Sequence, residues 1–223
     1  IVFGATCCID YDTSGHLYLD DFVSQREDHI GLDENASIAN PDDVFADGFE
    51  TGTTEKWHDA VTDGGDLSVS ESALAFGSYG MQAVIDDTTN IYVRDHTPLE
   101  EQHYRARFYI DPNSISMGDG EQFSILLDEF WQFNVDLKYS DVYDILAATY
   151  DDSYEEFETD EYEISDAWHA IEIEWQEATG DGNDDGFFAL WIDDVLVETI
   201  SDLDNDELAI EAVRLGVAEG VDS

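Results

Sequence analysis

The chain has 223 residues, of which 55 are Asp or Glu and only 7 are Lys or Arg, a formal net charge of -48. So few cations exclude nucleic acid and anionic membrane surfaces as partners, because Lys and Arg must neutralise their phosphates; a content of 43% hydrophobic and 13% aromatic residues excludes disorder, and no apolar run approaches the ~20 residues of a membrane span. Self-repulsion on this scale is tolerable where molar salt shortens the Debye length to roughly 3 Å, so the composition predicts a halophile protein working in near-saturated salt.

The length fits a single β-domain. No signal peptide is visible, and the reading of the chain as a secreted protein, at a cell surface or on a virion appendage, makes Ile1 a processed end. Cys7 and Cys8 are adjacent, and neighbouring cysteines rarely bond each other without strain. They read either as small strand residues on opposite faces or as partners in a bond between chains.

Residues 1–28 form an N-terminal strand segment, with Asp12-Thr-Ser-Gly-His-Leu-Tyr-Leu-Asp-Asp-Phe-Val-Ser24 its clearest stretch. Residues 29–44 are polar, rich in Asp and Asn, and contain Pro41, so they read as a linker. Asn35-Ala36-Ser37 within them is a glycosylation sequon at Asn35. From residue 45 to 223 period-two alternation dominates, most clearly at 103–110 and 168–175. Further strands are expected at 74–76, 81–85, 91–94, 122–127, 131–139, 142–149, 187–192 and 195–200. Residues 207–213 allow one helical turn, and no segment holds an amphipathic helix of three or more turns. About a dozen short antiparallel strands close up as a sandwich, jelly roll or barrel, and Pro41, Pro98 and Pro112 all fall at strand edges or loops.

Phe45-Ala-Asp-Gly-Phe-Glu-Thr-Gly with Trp57 after it, and Asp166-Ala-Trp-His-Ala-Ile-Glu-Ile-Glu-Trp followed by Phe188-Ala-Leu-Trp-Ile-Asp-Asp-Val-Leu-Val, resemble the first strand and a characteristic hairpin of laminin-G-like jelly rolls. These belong to the concanavalin A-like lectin and glucanase superfamily. The resemblance covers residues 45 to 223 and implies an all-β fold of two facing antiparallel sheets. It does not imply one function, since sugar binders, calcium-dependent adhesion modules, structural repeats and glucanases share the fold. The family hairpin turns on Asp-Gly where this chain has Asp193-Asp194.

Family members end with a strand like Val213-Arg-Leu-Gly-Val, a Thr-Ser-Gly turn and a last strand carrying Tyr-x-Asp-Asp-Phe. Here that last piece stands at residues 12–24, so the jelly roll has its terminal strand displaced to the N-terminus. Three arrangements use it: permutation within the chain, donation to a neighbouring molecule, or a frame cut from tandem repeats. Donation predicts head-to-tail contacts between copies of the protein. Leu17, Leu19 and Phe22, near a bulge, would be the plugs, with Ile1, Phe3 and Ile9 on the preceding strand. The sixteen linker residues reach roughly 50 Å, which serves donation and permutation alike.

Glu158-Thr-Asp160-Glu-Tyr-Glu163 matches the superfamily's paired-carboxylate string, but one residue in four is acidic and the intervening positions are not apolar. The six histidines show no metal-ligand spacing, His169 belongs to the family hairpin as a structural residue, and no Ser or Cys sits in a Gly-x-Ser-x-Gly elbow. Asp181, Asn183 and Asp185 place oxygen ligands at alternate positions before Gly186, as in the first half of a calcium loop, and Ile192 where an EF-hand needs Glu excludes that motif. Structural calcium is thus the one cofactor expected. Trp168, Trp175 and Trp191 read as packing residues, whereas Trp57 and Trp131, the latter clustered with Phe130 and Phe133, are candidates for a ligand platform. The sequence therefore predicts a non-catalytic structural subunit of an extracellular filament, fibre or surface layer; a carbohydrate-binding or adhesion module is the alternative, and a glucanase the remote one.

Overall fold

The computed structural model describes residues 13–32 and 42–220. Ile1, Phe3, Cys7, Cys8, Ile9 and Asn35 lie outside them. Sixteen strands follow in chain order: β1 (Gly15–Gln25), β2 (Asp43–Asp47), β3 (Asp59–Val61), β4 (Leu67–Ser70), β5 (Gly80–Ile85), β6 (Ile91–Asp95), β7 (His103–Asp111), β8 (Gln122–Asp128), β9 (Phe133–Tyr139), β10 (Tyr143–Tyr150), β11 (Glu156–Glu158), β12 (Tyr162–Ile164), β13 (His169–Gln176), β14 (Gly186–Ile192), β15 (Val195–Leu203) and β16 (Val213–Glu219). They form two antiparallel sheets packed as a jelly-roll sandwich. One runs β15-β14-β13-β7-β1-β5-β4 with β2 beside β1; the other runs β11-β10-β9-β8-β16-β6-β3 with β12 beside β10.

Alternation decides which side chains meet between the sheets. Tyr104, Ala106, Phe108 and Ile110 of β7 face inward, as do Ile171, Ile173 and Trp175 of β13, against Phe133, Val135 and Leu137 of β9 and Val213, Leu215 and Val217 of β16. Each large apolar side chain removed from water in this way contributes roughly 1.5–3 kcal/mol.

Strand β1 fills a slot in the middle of its sheet. Leu19 lies opposite both Met81 of β5 and Ile110 of β7, and a bulge between Asp20 and Val23, with Asp21 at φ 50, lets Phe22 turn inward. Leu17, Leu19 and Phe22 are each 0% exposed in this chain's own core. Expected from the sequence to plug a neighbouring subunit, they complete their own sandwich instead, the first of the three arrangements. Contacts beyond β1 hold that path. The Arg26 guanidinium forks onto the Glu101 carboxylate at 2.8 and 2.7 Å, and the backbone amides of Ile30 and Gly31 both donate to Glu172 at 3.0 Å. Residues 29–32, expected to be free linker, are therefore docked on the outer face of the sheet.

Two expected elements are absent. Residues 74–76 form no strand, because the Asp20 carboxylate takes the backbone amides of Ala75 (2.8 Å) and Phe76 (3.1 Å). No helical turn forms over 207–213, where Ile210 instead exchanges two backbone bonds of 3.0 Å with Glu101.

Candidate functional site

Five loops meet at one end of the sandwich: β6–β7, β8–β9, β10–β11, β13–β14 and β15–β16. Between them lies a cleft of about 690 Å³. Its aromatic wall is the turn Asp128-Glu-Phe-Trp-Gln132. The buried Asp128 carboxylate organises that turn, its Oδ2 accepting from the amides of Phe130 (2.8 Å) and Gln132 (3.2 Å), while Trp131 takes a φ of 66. Phe130 is thereby pushed outward to 52% exposure, and Gln132 is drawn in to 6%. Gln132 lines the cleft, with its Oε1 buried and without a hydrogen-bond partner.

The opposite wall carries Tyr154, set in a turn whose Asp151 carboxylate accepts from Ser153 and Glu155. Gln102 donates to Glu177 across 3.2 Å on a third side. Glu100, Glu177, Asp206, Glu207 and Glu211 all line the cleft, and no Lys or Arg does. Burial, reinforced by Asp206 and Asp152, raises the Glu177 carboxyl above its ordinary range. Beneath the turn, desolvation pushes the Asp128 carboxyl up to about 8 despite its two amide donors.

No family model matches this chain, and no curated protein matches it in sequence. In structure it is similar to a polysaccharide lyase. The crystal structure of an endo-beta-1,4-glucuronan lyase from the fungus Trichoderma reesei covers 74% of this chain and 81% of its own, with a TM-score of 0.55 at 10% identity. A likeness this distant establishes the jelly-roll fold. It also overturns the expectation that the protein is not an enzyme, because the solved fold it matches is that of one.

The residues singled out from sequence are placed differently from expectation. Trp57 is only 5% exposed, donates its indole N–H to Asp47 at 3.0 Å and stacks on Phe49, so it is a core residue and no platform. Trp131 is 37% exposed but does not line the cleft; its neighbour Phe130 does. Asp181, Asn183 and Asp185 are exposed in the β13–β14 loop, where the Asp185 carboxylate is taken by the Thr179 amide and hydroxyl, both at 2.7 Å, which hold its carboxyl below the usual range. The carboxylates that converge among the described residues are those of Asp152, Asp204 and Asp206, with oxygens within 4.8 Å of one another. Partial burial and their mutual repulsion raise Asp152 and Asp204. Glu158 and Glu163 fall on separate short strands, with Asp160 between them, so the glucanase string does not share one strand.

Arg105 and Arg107 stand side by side on the outer face of β7, but each is already neutralised. Arg105 meets Glu172 (3.3 Å) and Glu174 (2.5 Å), and Arg107, 1% exposed, meets Asp21 (2.5 Å). His29 caps this row between Glu172 (2.9 Å) and Asp194 (2.8 Å). The row fastens residues 26–32 to the sheet and leaves its guanidinium charge committed.

Proposed function

We propose that the protein is a carbohydrate-recognising jelly roll that holds a saccharide in the cleft at the loop end of the sandwich, outside the cell and in molar salt. The observation that carries this is an exposed Phe130 ring in a cleft otherwise lined by hydrogen-bonding side chains, among them Gln102, Tyr154 and Glu177. Apolar sugar faces stack on an aromatic platform, and sugar hydroxyls exchange hydrogen bonds with the amides and carboxylates around it. Gln102 and the carboxylates of Glu177 and Asp206 add acceptors and fix orientation. Five carboxylates without a cation disfavour an anionic chain such as glucuronan, so the saccharide is neutral or amine-bearing.

A glycan array in multimolar salt tests this reading. Neutral or amino-sugar oligosaccharides should bind, and Phe130→Ala should weaken binding at least tenfold while shifting stability by no more than about 0.5 kcal/mol, the usual range for an exposed substitution. Retention of wild-type affinity in that variant, or binding of uronic oligosaccharides alone, would refute the cleft as the site.

A further inference from the structure

At the opposite end of the sandwich, Ser165, His169 and Asp193 come together from the β12–β13 loop, the start of β13 and the β14–β15 turn. Ser165 Oγ lies 2.8 Å from His169 Nε2, and His169 Nδ1 lies 2.8 Å from Asp193 Oδ2. The Ser165 backbone amide also donates to Nε2, at 3.1 Å. A backbone amide can only donate, so Nε2 is the unprotonated nitrogen of the neutral ring and Nδ1 carries the proton toward Asp193. That is the tautomer a general base needs, with the nucleophile on one nitrogen and an orienting carboxylate on the other. Asp193 is itself fixed, its Oδ1 accepting from the Ala170 amide at 3.0 Å and its own amide donating to the Ala170 carbonyl at 2.8 Å. His169 is 15% exposed at its side chain, sheltered yet reachable.

Ser165 also lines a pocket of about 340 Å³, together with Ser114, Tyr139, Val142 and Tyr143. The Tyr139 and Tyr143 rings pack 5.3 Å apart, and Tyr143 is pinned by donating its hydroxyl to the Ile115 carbonyl at 2.6 Å. The volume is near the lower end of ligand pockets, about 300–1,000 Å³, so it suits a small acyl group on an aromatic floor. Asp141, Glu163 and Asp166 at its rim repel anions.

We propose that Ser165, His169 and Asp193 form a nucleophilic relay that hydrolyses neutral or cationic carboxylic esters carrying a small acyl group. Ser165 Oγ attacks the carbonyl carbon as His169 Nε2 takes the hydroxyl proton. The bond from the acyl carbon to the alcohol oxygen breaks, and His169 returns that proton to the departing alcohol. Water then attacks the acyl-serine, giving a proton to His169; the bond to Ser165 Oγ breaks, the serine recovers the proton, and a carboxylic acid leaves. Asp193 acts as a positioning residue that stabilises the imidazolium formed in each half. Esters suit such a site better than amides, since their leaving groups need less assistance.

The test uses the full chain folded in multimolar salt. A fluorophosphonate should label it at Ser165, as read by peptide mass, and 4-nitrophenyl acetate should be turned over. Ser165→Ala, an exposed substitution whose fold is checked by thermal melting, should abolish labelling and reduce turnover by about a hundredfold or more, because it removes the attacking oxygen. Asp193→Asn should lower kcat at least tenfold and leave KM within about twofold, the split expected of a residue that orients the base without touching the ester. Failure of the folded chain to take the label, or equal turnover by Ser165→Ala, would overturn the proposal. An unchanged kcat in Asp193→Asn would remove Asp193 from the relay.

Discussion

Asp128 governs the cleft from beneath, and its proton is part of the structure. Desolvation raises its carboxyl to about 8, and burial likewise raises Asp20 to about 7. Both therefore hold protons in the folded state that an unfolded chain has already released. Stability from this source is complete below the unfolded value near 4 and is lost as pH rises through 7 and 8. Asp128→Asn keeps an acceptor for the Phe130 and Gln132 amides, both of which use the same oxygen. It should match wild type near pH 4 and exceed it at pH 9 by several kcal/mol, measured by chemical denaturation in fixed high salt. An identical pH slope in the two proteins would show that Asp128 is ionised when folded.

At the level of elements, β1 is the strand on which the sheet depends. Leu17→Ala and Leu19→Ala should each cost about 2–5 kcal/mol as cavities between the sheets, and sedimentation of the wild type at high concentration and high salt should give a monomer. A polymer that dissolves in either variant would instead return β1 to a neighbour. Much of this architecture is legible in the sequence. The alternation at 103–110 and 168–175 marks β7 and β13, and the displaced Asp-Asp-Phe stretch marks β1, because a strand buried on one face writes its period into the chain. Strands β3, β11 and β12 are three residues each, too short to show a period. Phe130 is legible as an exposed aromatic at a turn, but the cleft is assembled from five loops spread over residues 100–211, and no spacing rule joins Gln132 to Glu177. The same distance hides the relay: Asp193 reaches His169 only because β13 pairs with β14.

Over the whole molecule, all seven Lys and Arg side chains lie among the described residues and each has a carboxylate within ion-pair distance. With 55 acids to seven such side chains, most of the repulsion is left to dissolved ions. Exposed pairs contribute little individually, about 0–1 kcal/mol, against a native state stabilised by only about 5–15 kcal/mol in all. Dialysis to low salt should therefore abolish the β-sheet circular dichroism, and survival of a cooperative melt there would refute a salt requirement. The topology adds a consequence in time. One sheet holds β1 between β5 and β7, and the other holds β16 between β6 and β8, so the first and the last of the described strands both occupy central slots. Neither the earliest hairpins nor a half-made chain can close the sandwich. At roughly 5–20 residues per second, β1 waits several seconds for β7 and longer for β16, with unpaired strand edges exposed throughout. During that interval the molar salt that screens the finished fold also screens the repulsion between one nascent chain and the next, so the open edges are where the fold is exposed to mispairing.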